Sequence, residues 1–482
     1  MTTEYDVIVI GAGAIGENAA DRAVQGGLSA VLVEAELVGG ECSYWACMPS
    51  KALLRAGDAI REAQRVGGAA EAVTGEIDVA AVFRRRNSFT SDWHDDGQVS
   101  WVEGAGIGLV RGHAVFTGVK EVTVTGPDGT VTELRARNAV VVATGSVPLL
   151  PDIPGLADAT PWTSREATSA QKAPARLVII GGGVVAVEMA TAYASFGTEV
   201  TLVARTVILQ NQEPFAGELV AESLKNLGVD LRIGGSPTAV SRDADGVVHT
   251  TLPGGEVIDS DEILVATGRL PRTGDLGIET IGLTPNQWLE TDDTMLVLGD
   301  DGEPLAGEWL YATGDVNHRA LLTHQGKYQA RAAGDVIVAR AKGLPVSDAP
   351  WGRHVATADH EAVPQVTFTD PQVGSVGLTA AAAEKAGYRT KVVDYEIGSV
   401  AGASVYLDGY AGRARMVVDE DRKVVLGVTF VGAAVQELVH SATVAIVGEV
   451  PLDRLWHAVP SYPTISEVWL RFLETYGRDA SA

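Results

Sequence analysis

Cysteine is nearly absent: the 482 residues hold two, Cys42 and Cys47. That scarcity excludes a disulfide-built scaffold, and two thiols with no neighbouring histidine fall short of a four-ligand zinc site, so no metal centre is expected. No run of about 18 uninterrupted apolar residues exists to span a bilayer. The opening Met1-Thr2-Thr3-Glu4-Tyr5-Asp6 lacks the basic region of a secretory leader and runs straight into an apolar strand. Basic residues are in deficit too: 37 Lys and Arg against 62 Asp and Glu leave a formal net charge of -25, which argues against nucleic acid or an anionic membrane as partner. The expectation is a cytoplasmic globular protein, long enough for about three domains of ~150 residues, in whose reducing surroundings a cysteine pair is normally catalytic.

The two cysteines stand in the frame Gly39-Gly40-Glu41-Cys42-Ser43-Tyr44-Trp45-Ala46-Cys47-Met48-Pro49-Ser50-Lys51. A dithiol that cycles between open and closed forms needs two sulfurs close enough to bond, one exposed for exchange and one against an electron donor. A helix start suits this, because its free N–H groups and dipole favour the reactive thiolate. Gly39 and Gly40 provide the entry to a helix, Pro49 is tolerated in its first turns, and Lys51 falls one turn beyond Cys47.

Two βαβ fingerprints flank this frame in the chain. The first runs from the strand Val7–Ile10 through Gly11-Ala12-Gly13-Ala14-Ile15-Gly16 and a helix to about Gln25, then Ala30–Val33 closed by Glu34. Gly11, Gly13 and Gly16 let backbone approach a pyrophosphate at the helix N-terminus, and Glu34 is placed for ribose hydroxyls. The second follows the strand Leu177–Ile180 with Gly181-Gly182-Gly183-Val184-Val185-Ala186, making Gly181, Gly183 and Ala186 its fingerprint positions. Where an NAD site carries an acid, Ala204 and Arg205 end the next strand; the arginine can pair with a 2′-phosphate, so NADPH is expected, with NADH as the alternative. Strands ending in Ala143-Thr144-Gly145 and Ala266-Thr267-Gly268 echo one another, and a third ends in Gly314-Asp315, an acid able to accept ribityl hydroxyls.

Between these landmarks, residues 52–101 read as two long helices around a small-residue connection near 66–77, with Arg84-Arg85-Arg86 as a solvated face. Residues 229–262 read as a small meander, a helix opens at Leu321–Gln325, and the composition changes from about Ala349.

In this order the motifs resemble the class I pyridine nucleotide-disulfide oxidoreductases, whose members include dihydrolipoamide dehydrogenase, glutathione reductase and mercuric reductase. The resemblance implies an α/β chain with two Rossmann-like dinucleotide-binding domains and a C-terminal α+β dimerisation domain. It places a discontinuous FAD domain at 1–155 and 275–348, an NAD(P)H domain at 156–274 and an interface domain at 349–482. It implies a homodimer and electron flow from NADPH through FAD to a Cys42–Cys47 disulfide, and on to a small-molecule or protein disulfide. Cys42 is then the interchange thiol and Cys47 the flavin-side thiol; Lys51 lies near the flavin with Glu188 as its ion-pair partner, and Gly40, Thr144, Gly145, Gly268, Gly314 and Asp315 line the cofactors.

Two departures open alternatives. Where relatives carry a catalytic histidine followed by a glutamate, this chain reads Pro460-Ser461-Tyr462-Pro463-Thr464-Ile465-Ser466-Glu467, so Tyr462 replaces the histidine while Glu467 remains. An unperturbed tyrosine is a poor base at neutral pH, which raises quinone or metal-ion reduction, or a redox-sensing or complex-bound role, as alternatives. Mercuric reductase also places tyrosine there but uses a C-terminal cysteine pair, and no cysteine follows Cys47. Tyr44 and Trp45, between the cysteines, either reshape the substrate side or fill core space.

Overall fold

The computed structural model describes residues 2–478 and divides into two compact units. The first comprises the residues up to Pro49 with Asn87–Leu149 and Gly268–Asp359; the second comprises Ser50–Arg86, Leu150–Thr267 and the residues from His360 on.

The first unit is built on strand β1 (Thr3–Ile10), helix α1 (Ala14–Gln25) and strand β2 (Ala30–Glu34). β1 is buried on both faces at Val7, Ile8, Val9 and Ile10, as a central parallel strand must be. It pairs in parallel with β2 on one side and with Val131–Val142 on the other. The latter long strand also pairs antiparallel with Glu121–Thr125, across the Gly126–Gly129 turn, and in parallel with Leu310–Ala312. One core, including Val7, Val9 and Leu32, packs under α1 and the long helix Thr323–Ala341; a second, including Ile8, Ile10 and Trp309, fills the opposite face.

In the second unit a parallel sheet takes the order Asp230–Ile233, Glu199–Ala204, Arg176–Ile180, Glu262–Val265, with the fingerprint helix Val184–Ser195 after its third strand. The last part of the chain forms a five-stranded antiparallel sheet centred on the wholly buried strand Val424–Gly432. This is the expected α/β architecture with an α+β C-terminal part.

Three local expectations are corrected. The second of the two long helices is broken: Val79–Phe89 and Asp96–Gly104 are separate, with Ser91, Asp92 and Trp93 at positive φ between them. The Thr90 hydroxyl caps the first piece by donating to the Asn87 carbonyl. Arg86 does not lie on a solvated face; it is fully buried and donates to the carbonyls of Thr168 and Ala170, so burial lowers its pKa to about 10. The meander is shorter than expected, because Asp230–Ile233 joins the parallel sheet and only residues 239–260 form an antiparallel triplet. Among the described residues no helix is long and apolar enough to cross a membrane.

Candidate functional site

The floor of the first site is glycine because side chains have no room there. Gly11 sits at φ +100°, and a Cβ on it would lie 2.4 Å from the Ala143 carbonyl oxygen; one on Gly16 would lie 1.9 Å from the Gly11 oxygen. Thus the fingerprint and the Ala143-Thr144-Gly145 strand end are one backbone-to-backbone contact. The cysteine frame joins it: Gly13 bridges to Gly39, and a Cβ on Gly40, at φ +59°, would lie 2.7 Å from the Gly13 Cα. Glu34 ends β2 and accepts from the Ala12 N–H at 2.7 Å and the Glu36 N–H at 2.8 Å, while burial raises its pKa. α1 carries no side-chain cap at Gly13, leaving its first N–H groups for an anion.

Asp315 accepts from the Ser146 hydroxyl at 2.6 Å and lies 3.7 Å from Arg269 Nε. Gly314, at φ +80°, donates its N–H to Gln329 at 2.8 Å. Thr144 donates to the Arg272 carbonyl, Gly145 and Gly268 both have positive φ, and no atom lies within 4 Å of a Cβ built on Gly145. A glycine floor, an uncapped helix terminus and two carboxylates fit a dinucleotide such as FAD.

The cysteines occupy two helices rather than one. Cys42 lies in the single-turn helix α2 (Gly40–Tyr44), the backbone breaks at Trp45, and Cys47 is the first residue of α3 (Cys47–Gln64). The two thiols are not joined as a disulfide and both are half-buried. The Thr323 hydroxyl, at the start of the long helix, lies 3.3 Å from Cys47 Sγ. A hydrogen bond with Cys47, then burial, pushes the Cys42 thiol pKa up, while Thr323 and the Lys327 charge act in the opposite direction. Tyr44 is core: its ring is buried, its hydroxyl donates to the Val38 carbonyl at 3.1 Å, and the Trp93 indole donates to its carbonyl at 3.2 Å. Trp45 meets it edge-on at 5.7 Å and stays half-buried.

The second unit repeats the glycine construction. Gly181 has φ +133°, and a Cβ there would lie 2.2 Å from the Ala266 oxygen, the counterpart of Ala143. Gly183 is different, with open space around it at the uncapped start of Val184–Ser195; Ala186 is buried and Val184 is exposed. Arg205 is exposed just past the strand Glu199–Ala204. Lys51 and Glu188 are brought together: Nζ lies 2.8 Å from Oε2, while Oε1 accepts the Phe368 N–H at 2.9 Å, and the ammonium sits 4.9 Å from the Phe368 ring centre. Tyr462 and Glu467 differ sharply in exposure. Tyr462 is 75% exposed, whereas Glu467 is buried, binds Arg471 through one oxygen and leaves the other unpartnered.

Thr323, Ser146, Arg269 and Gln329 were not singled out from sequence. Thr323 carried a signal as the polar residue opening a helix; Ser146 and Arg269 directly follow the two Ala-Thr-Gly strand ends, and Gln329 lies on the long helix, but nothing in their spacing says that they meet Asp315 and Gly314.

Two dinucleotide-binding folds with a dithiol at a helix start define the class of flavoprotein disulfide oxidoreductases. The chain belongs to the pyridine nucleotide-disulphide oxidoreductase family: the family model matches residues 5–336, and the family's dimerisation domain matches residues 363–471. It is 32% identical to a dihydrolipoyl dehydrogenase of Haloferax volcanii, over 98% of this chain and 96% of the relative. It is 30% identical to a mercuric reductase of Staphylococcus aureus, over 99% of this chain and 83% of the relative. Among solved structures, the HOCl-induced flavoprotein disulfide reductase RclA from Escherichia coli, as its Cu(II) complex, has a TM-score of 0.82 at 21% identity, covering 98% of this chain and 99% of that one. LpdA from Mycobacterium tuberculosis has a TM-score of 0.81 at the same 21% identity, covering 99% of this chain and 100% of that one. The family uses FAD and a pyridine nucleotide.

Proposed function

We propose that the protein is an NADPH-dependent reductase of a disulfide-type acceptor, with Cys42 and Cys47 as the pair that opens and closes. The observation that carries this reading is the pair of thiols hydrogen-bonded to each other where α2 meets α3, in a frame packed against the first fingerprint through Gly13, Gly39 and Gly40. FAD supplies the two-electron station between the nucleotide and the thiols. Cys42 Sγ attacks one sulfur of the acceptor disulfide, forming a mixed disulfide and releasing the first thiol. Cys47 Sγ then attacks Cys42 Sγ, releasing the second thiol and closing the Cys42–Cys47 bond, so the acceptor gains the two electrons that the dithiol loses.

The remaining residues take supporting roles in this reading. Gly11, Gly13, Gly16, Glu34, Gly40, Thr144, Gly145, Gly268, Gly314 and Asp315 hold the flavin nucleotide in the domain formed by 1–155 and 275–348. Gly181, Gly183, Ala186 and Arg205 hold the pyridine nucleotide in 156–274, and the exposed Arg205 supports the phosphorylated form. Lys51, fixed by Glu188, presents a positive charge one turn beyond Cys47. The match of residues 363–471 to a dimerisation domain supports a homodimer through 349–482, with the exposed Tyr462 offered to the partner's site and Glu467 buried in the same segment, where it holds Arg471.

Anaerobic titration of the purified holoprotein with NADPH tests the reading. A long-wavelength band from a thiolate against oxidised flavin is expected after two electrons; bleaching without the band would refute the dithiol relay. A second reading, reduction of a quinone or metal ion, draws support from the exposed Tyr462, since such acceptors need no protonated leaving thiol. Robust quinone turnover with negligible turnover of lipoamide or glutathione disulfide would favour it.

A further inference from the structure

The turn that carries Gly314 and Asp315 is clamped on two sides. A Cβ on Gly314, at φ +80°, would lie 3.2 Å from Ile15 of the first fingerprint, and one on Gly326 of the long helix Thr323–Ala341 would lie 3.0 Å from the Gly314 Cα. Gln329, about one turn further along that helix and 0% exposed, closes the turn. Its Oε1 accepts from the Gly314 N–H at 2.8 Å and from Asn317 Nδ2 at 3.0 Å. Asn317 Nδ2 also donates to the Ala312 carbonyl at 3.1 Å. One amide oxygen therefore ties together both ends of the segment 312–317.

A side-chain amide can present either its oxygen or its nitrogen, and here the choice is made at its other end. Gln329 Nε2 donates to Asp359 Oδ2 at 2.9 Å. A carboxylate only accepts, so the nitrogen faces Asp359 and the oxygen is left for Gly314. The Asp359 side chain, in the short helix Ala358–Glu361, is 1% exposed, and its charge is met there: Arg319 Nε donates to Oδ2 at 2.9 Å and Gln325 Nε2 to Oδ1 at 2.9 Å. Arg319 also binds Asp293 at 2.6 Å, and its backbone N–H donates to Asn317 Oδ1 at 3.1 Å. A buried polar network whose members are paired in this way fixes one arrangement of them. It ends on the Thr313–Gly314 peptide, whose orientation sets where the next residue, Asp315, presents the carboxylate that Ser146 Oγ meets at 2.6 Å.

We infer that Gln329, oriented by Asp359, is a positioning residue for flavin binding: it fixes the Gly314 peptide, and through it the Asp315 carboxylate, in the arrangement that the ribityl hydroxyls of FAD require. Gln329 acts through the turn, so its effect is to lower the ordering cost of binding rather than to add a contact. No bond is made or broken. This rests on the reading of Asp315 as an acceptor for those hydroxyls, and it is independent of which pyridine nucleotide and which electron acceptor the protein uses.

The test is the rate of FAD release from the full-length holoprotein on dilution into flavin-free buffer at about pH 7, followed by the rise in flavin fluorescence, with the visible circular dichroism of the bound flavin as a second readout. It needs neither pyridine nucleotide nor acceptor, so it stands apart from the titration above. Gln329→Met leaves the buried Gly314 N–H without its acceptor and is expected to speed release about five- to thirtyfold and to alter the flavin's visible dichroism. Gln329→Glu keeps an oxygen for Gly314, and the new carboxyl, sharing one proton with Asp359, donates to it as the amide did, so release should stay within about threefold of wild type. Asp315→Asn is expected to speed release about fivefold or more. Adding Gln329→Met to it should change the rate by less than about twofold, because a residue that acts through Asp315 then has nothing left to position. Release from Asp315→Asn at the wild-type rate would remove the flavin reading of Asp315 and the inference with it. With Asp315→Asn fast, three results would overturn the inference alone: wild-type release from Gln329→Met, a Gln329→Met effect that multiplies in full on the Asp315→Asn background, or Gln329→Glu as impaired as Gln329→Met. Where Gln329→Met yields no flavin-loaded protein, Gln329→Glu carries the test: loading with release within about threefold of wild type supports the inference, and failure to load or faster release overturns it.

Discussion

Removing Lys51 should destabilise the second unit because it strands Glu188. The Nζ–Oε2 distance is 2.8 Å, with the lysine side chain 36% and the glutamate side chain 3% exposed. Breaking a fully buried pair costs about 3–5 kcal/mol and an exposed one about 0–1 kcal/mol; water reaching the lysine places this pair between, at about 2 kcal/mol. Lys51→Met leaves the carboxylate with the Phe368 N–H and removes the ammonium from the Phe368 ring. At about 2–4 °C per kcal/mol for a unit of this size, the expected loss is about 4–8 °C in melting temperature. Glu188→Gln keeps an acceptor for Phe368 and should cost about 1 kcal/mol. The double variant Lys51→Met/Glu188→Met removes both charges and should melt higher than Lys51→Met alone. Thermal melts followed by circular dichroism, at matched flavin content and at low and high salt, provide the comparison. A Lys51→Met melting point within about 1 °C of wild type, or a double variant whose loss is the sum of the single ones, would refute the stranded-charge argument.

Other perturbations separate the parts of the site. Cys42→Ser should abolish disulfide turnover while sparing flavin binding, and Cys47→Ser should in addition remove the long-wavelength thiolate band; steady-state assays and absorbance spectra check both. Arg205→Ala should raise KM for NADPH about 10- to 100-fold with little change for NADH, the loss expected for charge-assisted pairing to a 2′-phosphate. Gly181→Ala, with positive φ and a Cβ 2.2 Å from a carbonyl oxygen, should lower the yield of folded protein, whereas Gly183→Ala, with open space around it, should fold normally and weaken pyridine nucleotide binding. Glu17 has a folded pKa raised by burial to about 7, so the folded state binds its proton more tightly than the unfolded chain. Its contribution is therefore fully present below about pH 4.5 and is lost as pH rises to about 7, with about 3 kcal/mol at stake. Urea unfolding across that range should show the slope in wild type and its reduction in Glu17→Gln.

Much of the fold was legible because the motifs are local. The Gly11-Ala12-Gly13-Ala14-Ile15-Gly16 and Gly181–Ala186 fingerprints announce a strand, a turn and a helix within a few residues, where backbone sterics leave few choices. The break at Thr90–Asp95 was not legible: the residues are helix-compatible, and the interruption is held by side-chain bonds, among them Trp93 to the Tyr44 carbonyl and Asp95 to the Val38 N–H. Arg86 was misread for a related reason. A run of three arginines looks solvated by composition, and only the carbonyls of Thr168 and Ala170, more than eighty positions away, explain why one of them is buried.

The sequence by itself determined the two nucleotide fingerprints, the dithiol frame and the order of the domains, since each depends on spacing along a few consecutive residues. Tertiary structure decided what those residues meet. It showed that Cys42 and Cys47 sit on separate helices, that the Thr323 hydroxyl meets Cys47, that Tyr44 is core, and that Tyr462 is exposed while Glu467 is buried. Spacing dictates backbone conformation within a turn or two; partners, burial and the charge a thiol feels come from segments that only folding brings within reach.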